Sequence, residues 1–409
     1  MRLGILTQYY PPETGAPQAR LSHLAEAFAR QGHEVVVLTA MPNYPRGKVF
    51  EGYGGLVRKE RRNGGVSVIR TWIYPTQSVE RVRRLFNYFS FVGSSALVGS
   101  LTLPKLDYLM TESPPLFLGI AGYWLARRTG ARWIFNVSDL WPESAVRLGV
   151  LGPGTALRAA ERLEAFCYRK AWLVTGQSSE ILADVEARFP GTSTYLLSNG
   201  VDTDMFGPQR RTAASRRHLG AAETASNGTC IAVYAGLHGI AQGLDQVLDA
   251  AAELRNESIH FVLVGEGPEK TRLVARASEL RLPKVRFLDS LSREDMPALM
   301  ASADIAIVPL KLRLPGAVPS KLYEAMGSAA PVVLVADGES AAIVKETGAG
   351  FVVAPGDVAG LAKALKSLAS DTVLRRKMGI AGRAAAEQRF SRQSIAERFI
   401  ARLEERPAC

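Results

Sequence analysis

Lys321 and Glu324 stand three residues apart, behind a Pro/Gly-bearing loop that runs from Leu314 to Pro319. Ahead of them lies an apolar run, Pro331-Val332-Val333-Leu334-Val335. Pro315, Gly316 and Pro319 predict a loop, a helix opening near Ser320, and then a buried strand. The unpaired N–H groups and positive dipole end of such a helix make an anion site. Lys321 adds a full charge beside them. Glu324, on the same face, can accept hydrogen bonds from hydroxyls. A phosphate receiver next to a hydroxyl receiver suits a nucleotide sugar. The same two residues also read as an ordinary surface ion pair.

Other chemistry-bearing residues fall in turns that follow apolar runs. Gly15, in Tyr9-Tyr10-Pro11-Pro12-Glu13-Thr14-Gly15, permits close backbone approach to a phosphate or a sugar. In Asn136-Val137-Ser138-Asp139-Leu140-Trp141-Pro142-Glu143, Asp139 can position or deprotonate an acceptor hydroxyl. Glu143 is the second choice, and Trp141 can pack on a sugar ring; Asp139 also reads as a helix cap. Gly236 to Gly243 is a phosphate-loop position in which His238 can hydrogen-bond phosphate, or be incidental. The backbone of Gly265-Glu266-Gly267-Pro268 can read a base edge. Asp202-Thr203-Asp204 has carboxylates spaced for a metal beside a diphosphate, but after Asn199-Gly200 it reads better as turn chemistry.

The elements that must position these groups alternate between strand and helix. Leu3–Thr7 is a strand, and Leu21, Leu24, Ala25 and Phe28 recur at helical spacing. Val35–Thr39 is the next strand, which makes this the opening of a doubly wound fold. An irregular insertion (Met41 to Gly55) precedes a hairpin turn at Asn63-Gly64-Gly65. The alternation continues through helices at 155–170 and 178–188. It restarts with a strand at Ile231–Tyr234 and runs to a final helix beginning near Ser391. Two tandem Rossmann-like α/β domains follow: 1–206, then a linker over 207–228, then 229–388, with a C-terminal helix at 389–409 crossing back to the first domain. A cleft between such domains is where ligands usually bind.

At 409 residues, with 47% hydrophobic and 22% charged residues, the chain can bury two cores. A formal net charge of +11, partly clustered at Arg58–Arg62, Arg81–Arg84 and Arg210–Arg217, favours anionic partners. Cys167, Cys230 and Cys409 form neither a metal nor a disulfide spacing, as expected of a reducing compartment. The N-terminus shows no signal-peptide pattern. Leu85 to Leu103 lacks charge and follows the Arg81–Arg84 cluster. Serines, Asn87 and glycines dilute it, so it reads as a helix of an α/β layer that docks on a membrane surface, as a plain core helix, or as a span. No Gly-x-Gly-x-x-Gly opens either domain, which disfavours an oxidoreductase.

Taken together, the 11–39 stretch, Asn199-Gly200-Val201-Asp202, Gly265-Glu266-Gly267-Pro268 and Pro319-Ser320-Lys321-Leu322-Tyr323-Glu324-Ala325-Met326 resemble glycosyltransferase family 4 of the GT-B fold over nearly the whole chain. Asp139-Leu140-Trp141-Pro142-Glu143-Ser144 and Ala241-Gln242-Gly243-Leu244 are similar to the bacterial branch that adds sugars, often N-acetylated deoxy-aminosugars, in O-antigen, colanic-acid or capsule assembly. The resemblance implies a retaining transferase that needs no bound metal. Its donor would be a UDP-sugar and its acceptor a polyprenyl-diphosphate-linked saccharide. Glu324 would hold the ribose hydroxyls, and Ser320, Lys321 and the helix end the pyrophosphate. Gly265, Glu266 and Leu288 would lie near the base, Gly236 and His238 near the phosphates, and Gly15 near the donor phosphate and sugar across the cleft. Asp139 and Lys321 would be the catalytic residues, with Trp141 and Glu143 on the acceptor side. The expected partners are the nucleotide sugar, the lipid-linked saccharide and, through 81–103, an anionic membrane surface at the inner face of the bacterial plasma membrane, with no nucleic acid. Three departures stand out: the family's first glutamate falls on Gly316, its phosphate-turn Arg and Lys on Leu237 and Gln242, and its His on Ser138. Donor-sugar contacts therefore shift to the backbone of 314–318. An epimerase of the same fold and a non-catalytic nucleotide-sugar-binding protein are the alternatives.

Overall fold

The computed structural model describes all residues except 45, 77–79, 148, 221–228, 314 and 406–409. Cys409, Leu314 and the second part of the expected linker thus lie outside the described residues. The chain divides into two compact units, Met1–Asn199 together with the chain from Arg392, and Gly200–Ser391.

The first unit runs β1 (Arg2–Thr7), α1 (Ala16–Arg30), β2 (Glu34–Ala40), β3 (Val57–Arg61), β4 (Ser67–Thr71), α2 (Arg81–Thr102), β5 (Tyr108–Ser113), α3 (Leu118–Thr129), β6 (Arg132–Val137), α4 (Glu143–Arg147), α5 (Thr155–Lys170), β7 (Leu173–Gly176), α6 (Ser179–Arg188) and β8 (Thr194–Leu196). Its sheet has the order β3-β4-β2-β1-β5-β6-β7-β8. All neighbours are parallel except β3 and β4, which form the hairpin predicted around Asn63-Gly64-Gly65. β5 is buried along its whole length, as a parallel strand covered on both faces must be. On one face, α1 buries Leu21, Leu24, Ala25 and Phe28.

The second unit runs α7 (Ala213–His218), β9 (Cys230–Ala235), α8 (Asp245–Glu253), β10 (Ile259–Val264), α9 (Lys270–Glu279), β11 (Val285–Leu288), α10 (Met296–Ser302), β12 (Ile305–Pro309), α11 (Ser320–Gly327), β13 (Val332–Val335), α12 (Glu339–Thr347), β14 (Gly350–Val353), α13 (Val358–Ser370) and α14 (Thr372–Gln388). Its sheet is parallel throughout, in the order β11-β10-β9-β12-β13-β14. The strand order reverses beside β9, and such switch points are where open α/β sheets bind ligands.

Residues 208–220 pack on the second unit rather than running free. Arg216 pairs with Asp304 at 2.9 Å and donates to the Ser302 carbonyl at 3.0 Å. Asp202 forms a turn, its Oδ1 accepting from the backbone N–H groups of Asp204 and Met205 at 3.1 and 3.0 Å. The last helix, α15 (Arg392–Glu404), belongs to the first unit: buried Phe399 meets the Phe28 ring of α1 edge-on at 6.2 Å.

The 81–103 segment forms α2, and it is two-faced. Phe91, Val92 and Ser95 are buried, while Val82, Phe86, Phe89, Leu97 and Leu101 are exposed. These five recur at four-, three-, eight- and four-residue steps, which keeps them on one stripe. Phe86 is 65% and Leu101 78% exposed. Among the described residues no helix is long and apolar enough to cross a membrane, so the stripe is a surface feature.

Candidate active site

In the second unit, β9 and β10 are each followed by a glycine, Gly236 and Gly265, because two backbones and a lysine meet there. A side chain at Gly236 would place its Cβ 1.9 Å from Lys321 Cε, and the residue has φ +145°. A Cβ at Gly265, with φ +143°, would lie 1.9 Å from the Gly236 carbonyl oxygen. Only glycine allows this approach. It lets Lys321, in the first turn of α11, lie over the turn after β9. Its Nζ sits above the Tyr234 ring, 5.2 Å from the centroid. Burial pushes the Lys321 amine below its ordinary value, opposed by the nearby Glu324 carboxylate.

Helix α11 starts at Ser320, after Pro319, and no side chain caps it. The Leu322 N–H donates to the Pro319 carbonyl at 3.0 Å, while the N–H groups of Ser320 and Lys321 precede any intrahelical partner, with the Lys321 ammonium beside them. Glu324 is half-buried one turn on, and Gly316 is buried within the preceding loop. This arrangement can receive a diphosphate through backbone N–H groups and one ammonium.

The neighbouring turns differ from expectation. The Gly265 N–H donates to the Leu288 carbonyl at 3.0 Å, and the Glu266 carbonyl accepts from the His238 N–H at 2.8 Å. The first bond continues the β10–β11 ladder and the second ties the turn after β10 to the turn after β9, so these two groups, expected to read a base edge, are already paired. The Glu266 carboxylate is paired with Lys270 at 2.7 Å, which also reaches Asp289 at 2.7 Å. Leu288 is half-buried at the end of β11, and Leu237 is exposed.

His238, expected to face phosphate, has no exposed surface. Its ring lies between Tyr234 (5.8 Å) and Phe287 (6.0 Å), and among the described residues neither ring nitrogen has a hydrogen-bond partner. The aromatic neighbours draw the imidazole inward. Burial, with the Lys270 charge nearby, lowers its pKa to about 4. Because the folded value lies below the ordinary 6.5, the unfolded chain takes up the proton first as pH falls. Stability contributed by the neutral ring is thus full above about pH 6.5 and is lost progressively toward pH 4. The variant His238→Phe is expected to lose less thermal stability than the parent between pH 7 and pH 5, a difference that thermal melts at the two values would measure.

In the first unit, Gly15 is the residue before α1, whose start also lacks a side-chain cap. Glu13 is buried in the same turn. It accepts from the backbone N–H groups of Asn43 and Tyr44, each at 2.8 Å, and so ties the 41–55 insertion to the turn. Asp139 follows β6 and accepts from Ser144 Oγ at 2.8 Å. Burial raises its pKa, while the Ser144 hydroxyl and the Leu140 N–H oppose the rise. A carboxyl moved toward neutrality in this way suits proton transfer. Trp141 is half-buried, with its ring against Phe117 at 5.6 Å. Glu143 opens α4 and is paired with Arg147 at 2.7 Å.

Sequence reasoning missed a buried polar cluster at the carboxyl ends of β5, β6 and β7. Arg20 Nη2 donates to Glu112 at 2.6 Å and to Ser138 Oγ at 3.0 Å. Asn136 donates to Glu112 at 2.7 Å and accepts from Thr175 Oγ1 at 2.6 Å. One signal was available: Arg20 lies four and eight residues before Leu24 and Phe28, on the apolar stripe of α1. Among the described residues no group of three His, Cys, Asp or Glu side chains could hold a metal ion.

Two α/β units with largely parallel sheets are the architecture of the GT-B class, and solved structures similar to this one agree. A sucrose-phosphate synthase from Thermosynechococcus elongatus matches with a TM-score of 0.78 and 19% identity, over 98% of this chain and 97% of that one. Anabaena Alr3699/HepE in complex with UDP and glucose matches with a TM-score of 0.72 and 20% identity, over 99% and 100%. The chain belongs to the GT-B glycosyltransferases: residues 15–200 match the glycosyl transferase 4-like domain and residues 221–385 the glycosyl transferases group 1 family. Over 96% of its length it is 27% identical to the putative colanic acid biosynthesis glycosyl transferase WcaI of Escherichia coli K12, covering 97% of that protein.

Proposed function

We propose that the protein is a retaining glycosyltransferase that moves a sugar from a UDP-sugar to a polyprenyl-diphosphate-linked saccharide during surface-polysaccharide assembly. The observation that carries this reading is Lys321, lying over Gly236 beside the uncapped start of α11. The donor diphosphate binds there, and Glu324 takes the ribose hydroxyls. As the glycosidic bond to the β-phosphate breaks, charge develops on the leaving oxygen. The helix end and Lys321 stabilise that charge without reorganising. Asp139 orients the acceptor hydroxyl and takes its proton as that oxygen bonds the anomeric carbon, and Trp141 and Glu143 line the acceptor side. The class of product follows the WcaI relative, and the UDP donor follows the UDP with which HepE is complexed. A thermal-shift screen of UDP-, GDP- and dTDP-sugars tests the donor: UDP-sugars should raise the melting temperature most, and a response confined to GDP- or dTDP-sugars would overturn the base assignment.

The acceptor's lipid places the enzyme on the inner face of a bacterial plasma membrane. The exposed stripe of α2 and the exposed Arg83 and Arg84 are the docking face. Each arginine near an anionic surface is worth about 1 kcal/mol, roughly fivefold in partitioning. Changing both to Gln is expected to reduce pelleting with phosphatidylglycerol vesicles more than tenfold (about 1.4 kcal/mol per decade), and changing Phe86 and Leu101 to Ser is expected to reduce it again. Equal pelleting of all variants would exclude this face.

A further inference from the structure

The cluster beneath the first unit's strand ends is closed at every atom but two. Glu112 Oε1 accepts from Arg20 and from Ser138 Oγ, and its Oε2 accepts from Asn136. Ser138 Oγ in turn accepts from Arg20 at 3.0 Å and from Asn136 at 3.3 Å. The Asn136 oxygen is taken by Thr175. What is left over is on Arg20: its Nε and Nη1 have no hydrogen-bond partner among the described residues, although the side chain is only 5% exposed. Leaving buried N–H donors unpaired costs about 1–3 kcal/mol per group. A cluster so fully paired elsewhere does not leave these open for lack of polar neighbours.

We propose that the buried, unpaired Nε–Nη1 edge of Arg20 reads an uncharged saccharide oxygen, a hydroxyl or an acetamido carbonyl, of one of the two substrates. The inference rests on the glycosyltransferase reading. Position supports it: Glu112, Asn136 and Thr175 stand at the carboxyl ends of parallel strands, where open α/β sheets bind ligands. Charge supports a neutral ligand. Glu112, 2% exposed, already neutralises the guanidinium at 2.6 Å, so no second anion is needed. Arginine carries only donors, so the group it meets must supply acceptor oxygens. The bonds to Glu112 and Ser138 hold the guanidinium plane before the sugar arrives, which is the preorganisation a specificity residue needs.

Arg20→Lys tests this, because it keeps a cation beside Glu112 and loses the Nε and Nη1 donors. Calorimetric titration with UDP, UDP-glucose and UDP-N-acetylglucosamine forms one arm. The Michaelis constant for polyprenyl-diphosphate-linked N-acetylglucosamine forms the other. UDP affinity should be the same in both proteins. A loss of about tenfold or more for the UDP-sugars assigns the contact to the donor sugar; the same loss in the acceptor constant alone assigns it to the acceptor. A variant altered only in thermal stability overturns the proposal and leaves Arg20 a structural cation. If the variant does not fold, isotope-labelled arginine side chains of the parent protein decide: the buried Nε–H resonance should shift with UDP-N-acetylglucosamine or with polyprenyl-diphosphate-linked N-acetylglucosamine but not with UDP, and no shift with either saccharide overturns the proposal. If the parent binds no nucleotide sugar, the donor reading fails by itself. Saturation-transfer NMR with free N-acetylglucosamine and glucose then decides on Arg20, with signals lost in Arg20→Lys supporting it and signals absent from the parent or unchanged in the variant overturning it.

Discussion

Lys321→Met binds a UDP-sugar about tenfold to a hundredfold more weakly than the parent, the effect of losing a charge-assisted contact of roughly 1.5–3 kcal/mol. Turnover falls further, by about 10²–10³, because the same ammonium faces the charge that develops on the leaving phosphate. The fold is not weakened. Burial holds the Lys321 amine below its ordinary 10.5, so between the folded and unfolded values the unfolded chain carries more protons. Stability therefore rises with pH across that window, and at neutral pH the buried charge is a cost. Methionine, of similar length, removes the cost. The variant should melt at a higher temperature than the parent at pH 7, and its advantage should shrink as pH approaches 10.5. Melts at several pH values, paired with donor titrations, separate lost binding from lost structure. Equal donor affinity in the two proteins would remove Lys321 from the site.

Asp139→Asn divides the two substrates. Its transfer rate is expected to fall by about 10²–10⁴, the usual contribution of a positioned proton acceptor, with donor affinity unchanged. Here too the fold should hold. Burial raises the Asp139 pKa above 3.8, so the ionised carboxylate costs stability at neutral pH. Asparagine keeps an oxygen for the Ser144 hydroxyl that now donates at 2.8 Å. A steady-state comparison at saturating donor checks the rate, and a variant with parental turnover would move the role to another residue.

What the sequence shows of this molecule is what depends on near neighbours. Apolar runs four to seven residues long, alternating with helical spacing, are enough to place both parallel sheets. Ser320 was readable as a helix start because Pro319 and the preceding glycine stop any earlier helix. The hairpin at Asn63-Gly64-Gly65 was readable from its turn chemistry. The exposed stripe of α2 is a matter of spacing along one helix. The candidate site is less legible because its contacts are long-range. Arg20 meets Glu112 across 92 residues. Lys321 needs Gly236, from another strand end, to give it room. His238 looked like a phosphate ligand by its place in the turn, yet Phe287 on a different strand helps enclose its ring. The Gly265 N–H looked available and is taken by Leu288 of β11. In each case the partner comes from an element that no local pattern connects to the residue concerned.

The most direct test of sugar transfer is mass spectrometry of a polyprenyl-diphosphate-linked saccharide incubated with the protein and a panel of UDP-sugars. The account predicts one acceptor species heavier by a single sugar residue, formed together with an equal amount of UDP and absent with Lys321→Met. An epimerised donor without any change in the acceptor, or a glycosylated acceptor formed equally well by Lys321→Met, would contradict it.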